Sequence, residues 1–189
     1  MIDQQSQDIY SRLLQDGIVF VRGELDDDMA MTVTAQLLFL ASEAPERDIH
    51  LYINSPGGSL TAAFSIYDAM QSVQPNVVTV CTGMAASGGS LLLASGSAGL
   101  RMALPHAQIH IHQPLTQKLE GRATDIETYA VEMLKQRERM ARIYAKHCNR
   151  PLEAVERDME RDFFMTPEQA KEWGLIDMVV DKSPMPPTR

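Results

Sequence analysis

The feature of this chain with the clearest chemistry is a serine in a run of very small residues. Ser87 lies within the segment GMAASGGS (83–90), directly before an apolar run at 91–93. The apolar segment 77–81 predicts a strand ahead of the serine, and the residues after it predict a helix. A serine held between a strand and a helix can act as a nucleophile, and the first backbone N–H groups of the helix can bind negative charge. We therefore predict that Ser87 is a nucleophile that forms an acyl-enzyme.

A serine nucleophile needs a base, and the histidines close together downstream are the candidates. They are His106, His110 and His112. His110 and His112 lie on one face of a predicted strand at 108–112, so the alternation of side chains does not choose between them. His112 ends that strand at Gln113-Pro114, and functional side chains often gather where the chain leaves a strand. Position therefore favours His112, with His110 as the alternative.

An acidic side chain would fix the tautomer of the imidazole and stabilise its charged form. The aspartates that follow in the chain are Asp158, Asp162, Asp177 and Asp181. Asp162 follows a charged segment, predicted to be a helix at 151–161, and precedes two phenylalanines that would carry it toward an apolar environment. A solvated carboxylate at a helix end is the alternative interpretation of Asp162.

Glycines near the serine predict a site for an oxyanion. The backbone N–H of Gly88 directly follows Ser87, and a second N–H is available in the Gly57-Gly58 turn. Glycine lets a substrate approach the main chain closely, and paired N–H groups stabilise the tetrahedral intermediate of acyl transfer. A simple tight turn is the alternative for the two glycines.

The elements that would position these residues alternate between strand and helix along the chain. Hydrophobic periodicity predicts strands at 18–21, 48–54, 77–81, 100–104 and 108–112, and helices at 26–44, 60–72, 123–148, 151–161 and 166–173, besides the one after Ser87. Glycine-containing turns separate strand from helix twice, which is typical of an α/β fold with mostly parallel strands. The helix at 123–148 is too long for a small sheet, so we expect part of it to project and pack against another chain.

Composition excludes several classes of protein. The 189 residues are enough for one domain with a sizeable core, and no apolar run is long enough to span a bilayer. The net charge is −8, without a basic cluster, which argues against nucleic acid as a partner. Two cysteines give neither a disulfide framework nor zinc-ligand spacing. No secretory signal is visible, so we expect a cytoplasmic protein with no metal and no membrane contact.

Six segments in order resemble the family of Clp protease proteolytic subunits. They are DIYSRLL (8–14), YINSPGG (52–58), GMAASGG (83–89), IHQPL (111–115), ATDIE (123–127) and ERD with RD (156–158 and 161–162). By this resemblance Ser87 is the nucleophile, His112 the base and Asp162 its orienting carboxylate. Gly58 and Gly88 would supply the oxyanion hole, and no cofactor is implied.

The resemblance also implies a fold and an assembly. The fold is similar to that of crotonases, with repeated β-β-α units as a head and a long helix as a handle. The whole chain, 1–189, would be one domain, with a head at about 8–122 and 149–181, a handle at 123–148 and a loose tail at 182–189. Subunits of the family stack as two heptameric rings around a chamber, and a hexameric AAA+ unfoldase feeds proteins into it.

The resemblance therefore predicts a serine endopeptidase that cuts unfolded proteins and short peptides. At two positions associated with docking of the ATPase, this chain has His50 and Ser72 where tyrosine and phenylalanine are frequent. One alternative is an inactive or partner-dependent scaffold subunit of a mixed ring. Another is an acyl-CoA enzyme on the crotonase fold, which would use acid–base carboxylates in place of a nucleophile.

Overall fold

The computed structural model describes residues 4–115 and 120–182, which form one seven-stranded sheet with helices packed around it. The helices are α1 (Gln4–Gln15), α2 (Asp27–Glu43), α3 (Leu60–Ser72), α4 (Gly88–Ala94), α5 (Ala123–Cys148), α6 (Leu152–Asp158) and α7 (Pro167–Trp173). The strands are β1 (Ile18–Leu25), β2 (Ile49–Gly58), β3 (Val77–Ala86), β4 (Arg101–Ala103), β5 (Gln108–Ile111), β6 (Phe163–Met165) and β7 (Met178–Val179). All but one residue of the predicted tail at 182–189 lies outside the described part.

Most strands of the sheet run parallel. The order is β1-β2-β3-β4-β7, and every pair along that path is parallel. Helices α2, α3 and α4 connect successive parallel strands, as parallel pairing requires. The predicted α/β class with mostly parallel strands is therefore confirmed.

Strand β3 has two different neighbours along its length, and this divides the sheet near the candidate serine. The first half, Thr79–Cys81, pairs with β4, and the second half, Met84–Ala86, pairs with β5. Strand β5 then pairs antiparallel with β6. The end of β3, just before Ser87, is thus held beside a strand that arrives from farther along the chain.

The hydrophobic core lies mainly on the face of the sheet that carries α3 and α4. Along β3, Val77 and Cys81 point into this core, whereas Val78 and Val80 belong to a smaller cluster with Met102 on the other face. Every residue of α4 is buried. Apolar side chains on both faces are typical of a central parallel strand, and they explain the continuous apolar run at 77–81.

Several predicted elements have the bounds we expected, and others are longer or shorter. Helices α3 and α5 span the predicted 60–72 and 123–148. Strands β2 and β3 continue beyond the predicted ends at 54 and 81, because parallel pairing extends through their small residues. The helix predicted at 151–161 ends at Asp158. Strands β6 and β7 were not predicted, since two or three residues are too few to produce a visible alternation.

Helix α5 is covered by the rest of the chain only over its last third. Its 26 residues extend about 39 Å. The buried residues of the helix are Met140, Ala141, Ile143, Tyr144 and Cys148. Large apolar side chains in its first part remain exposed, among them Tyr129 at 56% and Leu134 at 61%. Among residues 4–115 and 120–182, no helix is both long enough and apolar enough to cross a bilayer.

A buried ion pair fastens the last turn of α5 to the sheet. Arg101 on β4 is 7% exposed, and its Nη2 lies 2.6 Å from Oδ1 of Asp177. The same guanidinium donates to the carbonyl of His147 in α5, at 2.8 Å. Burial alone would raise the pKa of Asp177, but the hydrogen bonds from Arg101 outweigh burial and hold that pKa below its usual value. The base of α5 is therefore anchored while its other end projects.

Candidate active site

Ser87 adopts a backbone conformation that is unusual for a residue with a side chain. It lies between β3 and α4 as the N-cap of the helix, with φ 52° and ψ −121°. Its side chain makes no capping hydrogen bond, although serine is a favoured N-cap. Residues held in such sparsely populated regions cluster at functional sites, where surrounding contacts maintain the strain. The local geometry leaves the hydroxyl unused by the helix it precedes.

Strand β5 brings two histidines to this serine. The backbone N–H of Ser87 donates to the carbonyl oxygen of His110 at 3.0 Å, which continues the ladder beyond the Ala86–His110 pair. His112 follows two residues later and lies on the same side of the chain. Residues more than twenty positions apart in sequence are thereby joined at the edge where β3 and β5 meet.

Buried hydroxyl groups support the backbone beneath Ser87. Oγ of Ser90 lies 2.8 Å from the carbonyl oxygen of Ser87 and 2.7 Å from that of His110. The Tyr144 hydroxyl, on α5, lies 2.8 Å from Ser90 Oγ and donates to the Ser87 carbonyl at 3.2 Å. Burial raises the pKa of Tyr144 far above its usual value, so the phenol stays protonated. This network joins α4, β5 and α5 directly under the candidate nucleophile.

A cleft of about 870 Å³ opens over this junction. Ser87, His112 and Gly58 all line it, so the structure brings three of the five predicted site residues to one cavity. One wall comes from helix α5, whose lining residues follow helical spacing: Tyr129, Glu132, Met133 and Gln136. The volume lies within the range of small-molecule sites. Helix α5 therefore contributes to the site as well as projecting from the sheet.

Neither glycine at the end of β2 has room for a side chain, because Gly57 lies against Ser87 and Gly58 lies against β1. A Cβ added to Gly57 would lie 2.7 Å from Cβ of Ser87 and 3.2 Å from the backbone N of Gly88. A Cβ added to Gly58 would clash with the carbonyl oxygen of Leu25. The main chain around Gly57 and Gly58 thus runs beside the serine and the first N–H of α4, where the helix has no internal partner for its N–H groups.

The comparison with protein families agrees with this geometry. The family model for Clp proteases matches residues 2–183 of the 189. The chain belongs to the Clp protease family. It is accordingly a serine peptidase, and its relatives in the Clp protease family are generally oligomeric. The predicted family and the predicted fold with a long helix are both confirmed.

Asp162 lies beside the two histidines of the site in this Clp-family chain, but its hydrogen bond is to His110 and not to His112. Its Oδ1 accepts from Nε2 of His110 at 3.1 Å. The side chain of Asp162 is 65% exposed, whereas we expected it to move toward an apolar environment. The reason is local: the helix ends early, and Phe164, two residues after Asp162, is itself 54% exposed. The alternation of side chains left both histidines open and position favoured His112, but the hydrogen bond of Asp162 is to His110.

Two of the alternative aspartates are occupied elsewhere. Asp158 accepts from Nε1 of Trp173 at 2.8 Å and pairs with Arg150, and Asp177 pairs with Arg101. Both therefore stabilise the fold, and neither is among the residues that line the cleft. Asp162 remains the aspartate of the described residues that lies in contact with a histidine of the site.

His112 is tuned toward its neutral form. Burial is the main cause that lowers the pKa of His112, the nearby His110 lowers it further, and the charge of Asp162 acts in the opposite direction. A neutral imidazole can accept a proton from a hydroxyl, so the shift favours the role of a base. Among residues 4–115 and 120–182, no three histidine, cysteine or acidic side chains are grouped to hold a metal ion.

Sequence reasoning missed the residues beneath and around the cleft. Ser90 and Tyr144 support Ser87, and Glu132 and Gln136 line the wall. The helical spacing of the wall residues was visible in the sequence. No sequence signal paired Tyr144 with Ser90, because the two are separated by 54 positions and meet only through the packing of α5 on α4.

We expect Gly57→Ala to lower catalytic activity by more than the strain of an alanine in a left-handed backbone conformation explains. The matched control is Gly99→Ala, because the two glycines have similar φ values of 92° and 84°, but nothing lies within 4 Å of a Cβ at Gly99. Both variants should lose about 1–2 kcal/mol of stability from the left-handed backbone. Gly57→Ala should also displace Ser87 and lower kcat/KM by about 100-fold. Equal kcat/KM in the two variants would contradict this assignment.

Proposed function

We propose that the chain is a serine endopeptidase that cuts peptide bonds through an acyl-enzyme on Ser87. The observation that carries the proposal is that Ser87, in a strained conformation and with a hydroxyl that does not cap its helix, shares one cleft with His112. Membership of the Clp protease family supports the same chemistry. His112 would take the proton from the hydroxyl as Ser87 attacks the carbonyl carbon, and would return it to the leaving amine.

Asp162 is proposed to orient His112 during turnover. It lies beside the pair of stacked histidines, whose ring centroids are 4.9 Å apart. An acidic partner fixes the tautomer of the base and stabilises the imidazolium that forms when Ser87 is deprotonated. The carboxylate is bonded to the neighbouring ring, and it would take this role after a shift of about the spacing of the two rings.

The backbone N–H groups of Gly58 and Gly88 are proposed to hold the oxyanion. Gly88 begins helix α4, so its N–H points out of the helix start, and Gly58 lines the cleft. Charge develops on the carbonyl oxygen as the tetrahedral intermediate forms, and donors already aimed at it need no rearrangement. The loss of one such donor typically costs about 3 kcal/mol in the barrier.

A fluorophosphonate probe tests the nucleophile directly. We expect covalent modification of the folded protein at one residue, and peptide mapping by mass spectrometry should locate it at Ser87. The probe phosphonylates an activated serine and releases fluoride, whereas unactivated serines react far more slowly. Heat-unfolded protein serves as the control and should not be labelled.

The same experiment separates the proposal from its main rivals. An acyl-CoA enzyme on a related fold would rely on carboxylates and leave Ser87 unlabelled. An inactive scaffold subunit would also remain unlabelled when alone, and labelling that occurs only after a second subunit is added would indicate a partner-dependent member of a mixed ring. Absence of label under every condition would overturn the proposed function.

The catalytic cleft is proposed to face a chamber made by two stacked heptameric rings of this chain, joined through their handle helices. The exposed apolar side chains in the first part of α5 support this assembly, since they would remain in contact with water unless another subunit covered them. Because helix α5 also forms one wall of the cleft, assembly through this helix would be coupled to substrate binding. Unfolded proteins and short peptides would be the substrates that can enter.

Leu134→Glu should dissociate the stacked rings. Leu134 is 61% exposed in the single chain, and a charge there would be buried without a partner at a helix-to-helix interface. Native mass spectrometry should detect fourteen chains for the unmodified protein and seven for the variant. Lys135→Glu is the control, since this neighbouring side chain is 64% exposed and turned about 100° away around the helix. Identical particle masses for both variants would contradict stacking through this face.

Coupling to a hexameric AAA+ unfoldase is proposed from the family resemblance. The structure describes the surroundings of the two docking positions named from the sequence, His50 and Ser72. His50 is 6% exposed within β2, and Oγ of Ser72 donates to the Ala69 carbonyl at 2.9 Å. Ser72 has no ring and the imidazole of His50 is buried, so any unfoldase that docks here would depend on other side chains.

A further inference from the structure

A stack of three aromatic rings stands beside the cleft, and the carboxylate of Asp162 is bonded to the middle ring. The ring of His110 lies between His112, at a centroid distance of 4.9 Å, and Phe164, at 4.1 Å. Each neighbour is parallel to it within 9°. Nε2 of His110 donates to Oδ1 of Asp162 at 3.1 Å. The histidine that lines the cleft is thus the outer ring of the stack.

His110 is held firmly, while Asp162 has room to move. The carbonyl oxygen of His110 accepts from the Ser87 N–H and lies within hydrogen-bond distance of Ser90 Oγ. Its side chain is 13% exposed, compared with 65% for Asp162. Asp162 also lies in a short connection between α6 and β6. A change of partner within this cluster would therefore come from a movement of the carboxylate.

One carboxylate lies beside two parallel imidazoles in this arrangement and is bonded to one of them, His110. A carboxylate beside the stack can face the edge of either ring after a shift of about one ring spacing. The hydrogen bond at one ring nitrogen determines which nitrogen of that imidazole carries the proton. While Asp162 is bonded to His110, it does not perform this function for His112.

We propose that His110 is a positioning residue that competes with His112 for Asp162, and that transfer of the carboxylate to His112 completes the active site. The inference rests on the proposed roles of Ser87 and His112. No covalent bond changes in the transfer: the proton on Nε2 of His110 stays on that ring, and water replaces the lost hydrogen bond. Occupancy of the His110-bound arrangement then limits the fraction of active chains.

The test compares two substitutions of His110 in the full-length, assembled protein. His110→Phe keeps a flat ring between His112 and Phe164 but cannot bond Asp162, whereas His110→Gln keeps a donor for the carboxylate. If His110 holds Asp162 about nine tenths of the time, His110→Phe should raise kcat about tenfold with KM unchanged. His110→Gln should remain close to the unsubstituted protein. Where thermal unfolding shows that His110→Phe does not fold, His110→Leu replaces it.

The same substitution in a chain without the Asp162 carboxylate determines whether any increase in kcat acts through Asp162. In a chain that carries Asp162→Ala, adding His110→Phe should give no increase in kcat or in the rate of fluorophosphonate labelling. A gain that persists without Asp162 would overturn the proposal. So would a kcat for His110→Phe that is unchanged, reduced or equal to that of His110→Gln.

Failure of this inference is distinguishable from failure of the proposed function. If Ser87→Ala removes turnover and His110→Phe has no effect, the peptidase assignment stands and the competition is wrong. If Ser87→Ala retains turnover, the proposed nucleophile is wrong and the comparison of His110 variants has lost its basis.

Discussion

Ser87→Ala should abolish peptide hydrolysis while leaving the fold intact. The substitution removes the only atom proposed to attack the substrate, and knocking out such a serine lowers kcat roughly 10⁶-fold in a well-studied serine protease. The side chain makes no capping bond, so its removal takes no hydrogen bond from helix α4. We expect turnover of a fluorogenic peptide to fall to the background rate, with the unfolding temperature close to that of the unsubstituted protein.

Ser95→Ala is the matched control for this variant. Ser95 ends the same helix, is 2% exposed, and its hydroxyl donates to the carbonyl of Leu91 at 2.6 Å. The control should lose about 1 kcal/mol of stability from one buried hydrogen bond, with kcat little changed. Peptide cleavage by Ser87→Ala at the rate of the control would refute the nucleophile.

His112→Gln should be the second variant with a very large effect. Loss of the base from a serine protease lowers kcat by about the same factor as loss of the nucleophile, since the two act as a unit. Glutamine is similar in size but cannot take up a proton, so packing in the half-buried site changes little. We expect kcat to fall roughly 10⁶-fold with KM changed much less, as measured with a short peptide.

His106→Gln is the control for this second variant. His106 precedes β5 and is exposed, and it does not line the described part of the cleft. Its substitution should leave kcat unchanged. Equal losses in the two variants would mean that the loss reflects disruption of this part of the chain, and loss of activity in neither would exclude His112 as the base.

The pH dependence of kcat/KM offers an independent test of His112. A base must be neutral to accept the serine proton, so activity is lost as pH falls through its pKa. Burial and the neighbouring His110 hold the pKa of His112 below its usual value, although Asp162 opposes them. The acidic limb of the profile should therefore lie below pH 6.5, near which an ordinary histidine titrates. A limb clearly above that pH would contradict the assignment.

Local sequence patterns were sufficient to predict the bounds of helices whose ends are set by residues close by in the sequence. Helix α5 has its predicted bounds because its periodicity is long and Asn149 adopts the left-handed conformation that ends it. Helix α3 begins at its cap, Ser59, whose side chain accepts from the N–H of Ala62. In each case the decisive contacts involve residues within about four positions of one another.

Pairing between distant segments decided the bounds that local patterns did not. Strand β3 runs on to Ala86 because β5 pairs with its second half, and no residue near Ala86 reveals that partner. Strand β6 exists because it pairs with β5, and its three residues have little strand character alone. Burial and hydrogen bonding by remote strands override weak local preference in such segments.

The sequence by itself determined the α/β class, the serine before a helix, the long projecting helix and two histidines on one strand face. Only the tertiary structure decided that the carbonyl oxygen of His110 accepts from the Ser87 N–H, that Asp162 accepts from His110, and that Tyr144 on α5 donates to the Ser87 carbonyl. The physical reason is the range of the interactions. Periodicity and capping depend on neighbours along the chain, whereas the partner of a hydroxyl or carboxylate depends on which distant strands and helices pack together.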